Sequence, residues 1–399
     1  MRILVLGGAG LQGKAVLHDL SRSPQVKEVV CADMNLGPLA TFEKFLDRDK
    51  TRLQVLDVTD EEALVSLMRD HFDVVIDVLP AALIGIVAEA ALKARVHLVN
   101  TMYGQQLPKG IHERSLEKGI ALMPESGLDP GIDLILCGYG RRKMDEVCEL
   151  HSYCGGIPEP KAITNPLKYK ISWKWQGVLS FYKTPARIMK DGQIIDIYAK
   201  DLHAEKWVET IDFPRLGPLE LIPNGDAVIF AEHLGLLKTL TNTTRCSLRW
   251  PGHSVLWKKL IDLDLLSDEP VKGLSAEVTP YQIMVKHLEP RLQYNEGERD
   301  MVVMRIIIAG KKGGKQMKIT YDMRDLRDLE TGLFAMNRTV GYTASIVAQM
   351  IVNGEIKGRG LLTHIRDIPC KQFLTEINKR GIHFKEKIET EEVLFGLDA

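Results

Sequence analysis

The segment MRILVLGGAGLQGKAV, residues 1–16, decides the fold. Ile3–Leu6 is an unbroken apolar run that reads as a buried strand, and a helical pattern begins after Gly7-Gly8-Ala9-Gly10. Gly8, Gly10 and Gly13 fit G-x-G-x-x-G at this strand-to-helix junction, where the helix start presents free N–H groups and the positive end of its dipole. In this frame Gly8 makes the tight turn, Gly10 lets a pyrophosphate approach the backbone, and Gly13 lets helix and strand pack closely; Leu11 and Gln12 lie in the helix's first turn. An acid, Asp33, stands twenty residues past Gly13, at the end of the second apolar run. Its carboxylate suits a ribose 2′-hydroxyl and repels a 2′-phosphate, and Met34-Asn35-Leu36 supply no Arg for that phosphate. The expected cofactor is NAD in preference to NADP, by ~2–3 kcal/mol.

The alternation continues outward from this junction. Strands are expected at Ile3–Leu6, Glu28–Ala32, Leu53–Asp57, Val74–Val78, His97–Asn100 and Ile120–Met123. Helices are expected at Gln12–Ser21, Leu39–Asp47, Glu61–His71, Leu83–Ala94 and Ile111–Lys118. Short strands apolar on both faces, joined by helices, predict a doubly wound parallel α/β sheet of the Rossmann type. Ligands of such sheets lie beyond the carboxyl ends of the strands. That places Asp57 and Val58 at the adenine edge, and Leu79, Pro80, Thr101 and Tyr103 on the nicotinamide side. From Val147 onward the strands lengthen and alternate, at Glu149–Cys154, Gln193–Ala199 and Thr243–Trp250. Met301–Ala309 and Lys315–Tyr321 flank Gly310–Gly314 as a hairpin. This half reads as a second α+β domain with a largely antiparallel sheet and helices at Asp226–Leu234 and Ser254–Leu263. The expected division is 1–130 for the Rossmann domain, completed by a late amphipathic helix near 334–353, then 131–333 for a substrate-binding and dimerisation domain, and 354–399 as a charged, peripheral C-terminal segment.

Composition narrows the function. Fifty-two Lys and Arg balance 53 Asp and Glu, so no basic excess points to nucleic acid. The six cysteines form no CxxC pair and none sits at metal-ligand spacing to a His, which predicts reduced thiols, no metal and a cytoplasmic setting. Met1 leads straight into the first strand, and no apolar run is long enough for a bilayer, so neither signal peptide nor membrane span is expected.

Five ordered motifs carry a resemblance: GLDPGID at 127–133, SYCGGIP at 152–158, NPLKYKISW at 165–173, LRWPGH at 248–253 and TVGYTA at 339–344. Together the chain resembles the saccharopine dehydrogenase family, in particular its glutamate-forming saccharopine reductases and the related L-lysine 6-dehydrogenases. The resemblance implies an NAD(P)-dependent enzyme acting at a carbon–nitrogen bond of lysine or a lysine conjugate, and a homodimer assembled through the second domain. The saccharopine reductases carry a Pro-Asn-Arg-Asp stretch whose Arg holds a glutamyl carboxylate. Here Pro223-Asn224-Gly225-Asp226 has Gly225 in its place. This departure favours free L-lysine or a close amine; a saccharopine reductase and a carboxynorspermidine-type dehydrogenase are the alternatives, and a non-catalytic NAD-binding sensor is a third reading.

Oxidising an amine needs a positioned carboxylate clamp and a base. Arg249 and Arg187 are the candidate clamps, with Tyr103, Tyr169, Asn224 and His253 as further substrate residues. Asp129, Glu125 and Lys170 are the candidate acid–base groups. Asp129 alternatively caps a helix from Ile132, Lys170 stacks on Trp173 or Trp175, and His253 caps the helix that follows it.

Overall fold

Alternation of strand and helix runs through the first 123 residues of the computed structural model, which describes residues 1–274 and 277–390. The strands are β1 (Arg2–Leu6), β2 (Glu28–Asp33), β3 (Thr51–Val55), β4 (Val74–Asp77), β5 (His97–Asn100) and β6 (Ala121–Met123). The helices are α1 (Leu11–Arg22), α2 (Glu61–Met68), α3 (Ile84–Ala94) and α4 (Ile111–Glu117), followed by α5 (Ile132–Arg141). All six strands pair in parallel, and Leu4, Leu6, Val30, Val75, Leu98 and Leu122 join Leu64, Met68 and Val87 in one core. Burial on both faces explains the apolar runs of β1, β2, β4, β5 and β6.

Two expectations fail in this half. Leu39–Asp47 is no α-helix: it forms two 3₁₀ turns, Gly37–Leu39 and Glu43–Phe45. Three-residue bonds such as Phe42 N to Leu39 O and Leu46 N to Glu43 O shape the segment, and Leu39, Phe42 and Leu46 turn inward. The third strand lies two residues earlier than expected, at the sheet edge with its side chains largely exposed, so Asp57 and Val58 fall beyond its end.

The chain then builds a nine-stranded mixed sheet. Eight of its strands are β7 (Glu146–Pro158), β8 (Ala186–Lys190), β9 (Gln193–Ile197), β10 (Glu209–Phe213), β11 (Gly217–Pro223), β12 (Asn242–Arg249), β13 (Asp300–Lys312) and β14 (Lys315–Leu326). The order is β10-β11-β12-β7-β13-β14, with β8 on β12 and β9 on β8. All pairs are antiparallel except β7 with β12. The expected five-residue hairpin loop tightens to Gly313-Gly314, both at positive φ, because the β13–β14 ladder continues to Lys312 and Lys315. Helices α6 (Trp175–Tyr182), α7 (Ala227–His233), α8 (His253–Asp262) and α9 (Pro280–Leu288) complete this part, and α6, α8 and α9 share a core around Trp175 and Trp257.

Four elements follow: α10 (Ala335–Val352), β15 (Gly360–Leu361), α11 (His364–Asp367) and α12 (Cys370–Lys379). β15 extends the first sheet beside β6, and α10 packs on α1, β4 and β5. A last strand, β16 (Phe384–Thr390), pairs with β14. Two units result: Met1–Gly138 with Arg327–His383, and Tyr139–Leu326 with the chain from Phe384. The expected peripheral segment is only partly so. Phe373 and Ile377 of α12 are fully buried, whereas β16 is exposed, and residues 391–399 lie outside the described residues. α10 is not amphipathic but buried nearly all round. No disulfide joins the six cysteines, and among the described residues no helix is long and apolar enough to cross a membrane.

Candidate functional site

In the first unit, β1 ends at Leu6 and the turn is made by Gly7, at φ +78°, whose N–H donates to Ala32 O at 2.9 Å. The turn was expected at Gly8; that glycine is instead required by space, since a Cβ there would lie 2.5 Å from Cys31 Sγ. Gly13 packs as anticipated: a Cβ would come within 2.4 Å of Gly7 O. Gly10 is the N-cap of α1 and offers no side-chain acceptor to the first-turn N–H groups of Leu11 and Gln12. These open donors at a helix N-terminus fit a pyrophosphate.

Asp33 ends β2. Its Oδ2 accepts from Ala9 N and its Oδ1 from Asn35 N, each at 3.1 Å. Asp57 sits in an exposed turn where the Thr59 hydroxyl and N–H, at 2.7 and 2.9 Å, hold its carboxyl below the usual carboxylate range. Val58 does not face the adenine edge; its side chain is consumed by the core. Leu79 lies against Gly7, and Pro80 precedes the 3₁₀ turn Ala81–Leu83. Thr101 is largely buried and Tyr103 half-buried, just beyond the end of β5.

Sequence reasoning missed a pair at the carboxyl ends of β4 and β5. Asp77 and Asn100 are in register, and Asn100 Nδ2 donates to Asp77 Oδ2 at 2.5 Å while Leu79 N donates to Asp77 Oδ1 at 2.9 Å. Burial raises the Asp77 carboxyl to about 6 against these bonds. The signal was available: both neighbouring strands, VVID and HLVN, end on a polar residue. A second missed acid is Asp133, fully buried at the start of α5. Its Oδ1 accepts from Gly131 N at 2.7 Å; burial, with the charge of Glu125 adding, raises its carboxyl to about 7.

Asp133 anchors the loop that carries Glu125 and Asp129. Glu125 N donates to Met102 O, and Ser126 N to Asn100 O, so the loop is tied to the segment leaving β5. Glu125 Oε1 accepts from Gly104 N at 3.2 Å, and the Asp129–Pro130 peptide is cis. Glu125 and Asp129 are both half-buried, and the structure places them on one loop with Asp133.

In the second unit, Arg249 ends β12 and is 8 % exposed. Its Nη1 donates to Leu248 O at 2.9 Å, its Nε to Tyr182 Oη at 3.4 Å, and its guanidinium lies 5.4 Å from the Tyr169 ring. No carboxylate pairs with it among the described residues. His253 is positioned by its neighbours: Nδ1 lies 2.8 Å from Leu167 O and so carries the proton, while Nε2 accepts from Tyr182 Oη at 2.7 Å. Burial holds it neutral, far below its ordinary value. It does not cap α8 through its side chain; Glu220 does that work, accepting from Gly252 N at 2.6 Å and Ser254 N at 2.9 Å. His203, another residue missed in sequence, stacks edge-on against Tyr182 at 4.6 Å.

Two expected site residues are committed elsewhere. Lys170, 2 % exposed, is ion-paired to Glu298 at 2.5 Å, and the ring near it is Tyr294, not Trp173 or Trp175. Arg187 is no free clamp: it pairs with Asp196 at 2.8 Å and Asp226 at 3.6 Å. Asn224 is half-buried and its N–H donates to Arg245 O. Beside it, Arg245 Nη1 lies 3.8 Å from where a Cβ on Gly225 would stand, so a cation occupies this corner after all.

A doubly wound sheet with a phosphate-ready first turn and an acid ending its second strand defines a dinucleotide-binding protein. Residues 3–123 match the family model for the saccharopine dehydrogenase NADP binding domain, and residues 127–382 that for the saccharopine dehydrogenase C-terminal domain. The chain belongs to the saccharopine dehydrogenase family, nicotinamide-dependent oxidoreductases of lysine metabolism. It is 26 % identical over 456 residues to the NADP(+)-dependent, L-glutamate-forming saccharopine dehydrogenase of Saccharomyces cerevisiae, across 96 % of this chain and 98 % of that protein. It is 29 % identical over 446 residues to the mitochondrial alpha-aminoadipic semialdehyde synthase of Bos taurus, across 96 % of this chain but 47 % of that one. The chain thus spans less than half the length of the semialdehyde synthases it matches. Among solved structures, apo saccharopine dehydrogenase (L-Glu forming) from Saccharomyces cerevisiae matches with a TM-score of 0.84 at 25 % identity, over 97 % of this chain and 99 % of that one. The homospermidine synthase of Legionella pneumophila, solved with NAD, shares the fold alone, with a TM-score of 0.64 at 10 % identity over 100 % of this chain and 95 % of that one.

Proposed function

We propose that this chain is an NAD-dependent dehydrogenase that oxidises the carbon–nitrogen bond of L-lysine or a lysine-derived amine. The observation that carries the substrate class is Arg249. A buried guanidinium bonded only to neutral oxygens is costly, and a substrate carboxylate supplies the missing anion in bidentate geometry. The nicotinamide supplies the hydride acceptor when bound. The second unit's own part is to hold the substrate carboxylate at Arg249; within the first unit, the loop bearing Glu125 and Asp129 offers carboxylates able to take a proton. NAD, in place of the NADP of the yeast relative's name, is supported by Asp33, whose carboxylate would repel a 2′-phosphate.

Gly225 speaks for free lysine. Arg245, at the same corner, favours a second reading in which saccharopine's additional carboxylate is held there. The test is NADH absorbance with NAD and L-lysine in one cuvette and saccharopine in another. Lysine turnover alone supports the first reading and saccharopine turnover the second; NAD binding without either points to another amine or a sensor. Arg249→Met is expected to lower kcat/KM by ~100-fold or more, with NADH affinity unchanged. A homodimer assembled through the second unit belongs to the same reading, and sedimentation velocity tests it.

A further inference from the structure

Beside the first turn of α1 lies a cavity of about 160 Å³, lined by Leu11, Lys14, Thr41 and Phe42, by the turn before α10, and by Asn337. Asn337 is 2 % exposed, and its amide nitrogen meets no hydrogen-bond partner. A buried donor in this state is destabilising unless something fills the space beside it. Lys14 forms no ion pair among the described residues, and its Nζ lies 5.8 Å from the centre of the Phe42 ring. The α1 N-terminus adds first-turn N–H groups without a side-chain cap. No acidic side chain lines the cavity, and the Thr331 hydroxyl is already donated to Asp328 Oδ2 at 2.7 Å. The Asn337 amide of α10 and, from α1, the Lys14 ammonium beside the helix end line this one cavity, where an oxyanion would satisfy them.

We propose that this cavity is a phosphoryl subsite for the dinucleotide, in which the Asn337 amide and the Lys14 ammonium hold a phosphate oxygen. The inference rests on the dinucleotide reading above and extends it to a residue more than 300 positions away from the glycine turn. The 3₁₀ segment around Phe42 gives the cavity an apolar wall, which strengthens both donors by keeping water from them.

The experiment is calorimetric titration of ADP-ribose, NADH and inorganic phosphate into wild-type protein, Asn337→Ala and Lys14→Met, with thermal unfolding of each apo-protein as the folding control. Each variant is expected to weaken ADP-ribose and NADH by the same factor, about tenfold or more, as one hydrogen bond to a charged oxygen requires. Lys14 is only half-buried, so Lys14→Met keeps the test open if Asn337→Ala fails to fold. Wild-type affinity for ADP-ribose in the folded variants overturns the proposal. A loss confined to NADH overturns it too, by placing the donors at the nicotinamide. Phosphate that binds without lowering ADP-ribose affinity puts a separate anion in the cavity, with the same result. Wild-type protein that binds neither NADH nor ADP-ribose sinks the dinucleotide reading itself, and the subsite with it.

Discussion

The Asp33 carboxylate is held by backbone N–H groups on both sides, Ala9 and Asn35, so its charge is fixed at the end of β2. Replacing it with Ala should erase most of a preference for NADH over NADPH, shifting the ratio of dissociation constants by about one to two decades. A ratio unchanged in fluorescence titrations would remove Asp33 from cofactor choice. Asp133 makes a prediction in pH. The folded chain keeps its proton up to about pH 7, whereas the unfolded chain releases it near 3.8. The folded state therefore binds more protons across that window, and stability falls as pH rises through it. Asp133→Asn has no proton to lose, so its Tm relative to wild type should climb between pH 5 and pH 8; parallel curves would contradict the burial argument. Single residues were legible in sequence where the chemistry was local, as at Gly13 and Asp33. The ion pairs of Lys170 with Glu298, far along the chain, and of Arg187 with Asp196 across a hairpin and Asp226 were not legible in the sequence. Asp77 and Asn100 acquire meaning only when β4 and β5 are set side by side.

Among the helices, α1 and α10 pack most extensively on each other. Gly341 of α10 touches α1 so closely that a Cβ would stand 2.7 Å from Ala15 Cβ and 2.8 Å from Gln12 O. Polar bonds fix the pair along its length: Ser345 Oγ to Asp19 at 2.5 Å, Ser23 Oγ to Gln349 at 2.7 Å, and Arg380 of α12 to Asp19 at 2.6 Å. Gly341→Val should cost ~1–3 kcal/mol by overpacking, visible as a Tm several degrees lower. It should also weaken dinucleotide binding, because the displaced backbone is the first turn of α1. A variant with normal Tm and affinity would show that the helices separate freely. The strands and helices of the first half were legible because each carries its own period and punctuation. Leu39–Asp47 was not, since a 3₁₀ turn buries residues at a spacing easily taken for a helix. In the second half β8, β10 and β11 escaped notice, their short runs being split by turns; β8 and β11 pair with β12 from a distance, and β10 joins the sheet through β11.

At the scale of the whole molecule, the first unit is assembled from two stretches separated by the second. A chain ending at Leu326 lacks α10 and should lose NADH binding and cooperative melting together. A chain ending at His383 keeps α10 and α12 and loses β16, whose side chains are mostly exposed. It should bind NADH normally but self-associate in sedimentation velocity, because the β14 edge is then unpaired. Equal behaviour of the two truncations would mean that α10 is dispensable.

The lateness of α10 also has a bearing on how the protein is made. Synthesis runs from the N-terminal to the C-terminal side, so the turn at Gly7–Gly13 leaves the ribosome more than 300 residues before the helix that covers α1. Throughout that interval the apolar face of α1, with β4 and β5 behind it, has no cover. The nascent chain thus carries a half-built nucleotide domain and waits for α10 to close it, an interval in which a chaperone or a bound nucleotide would have the most to protect.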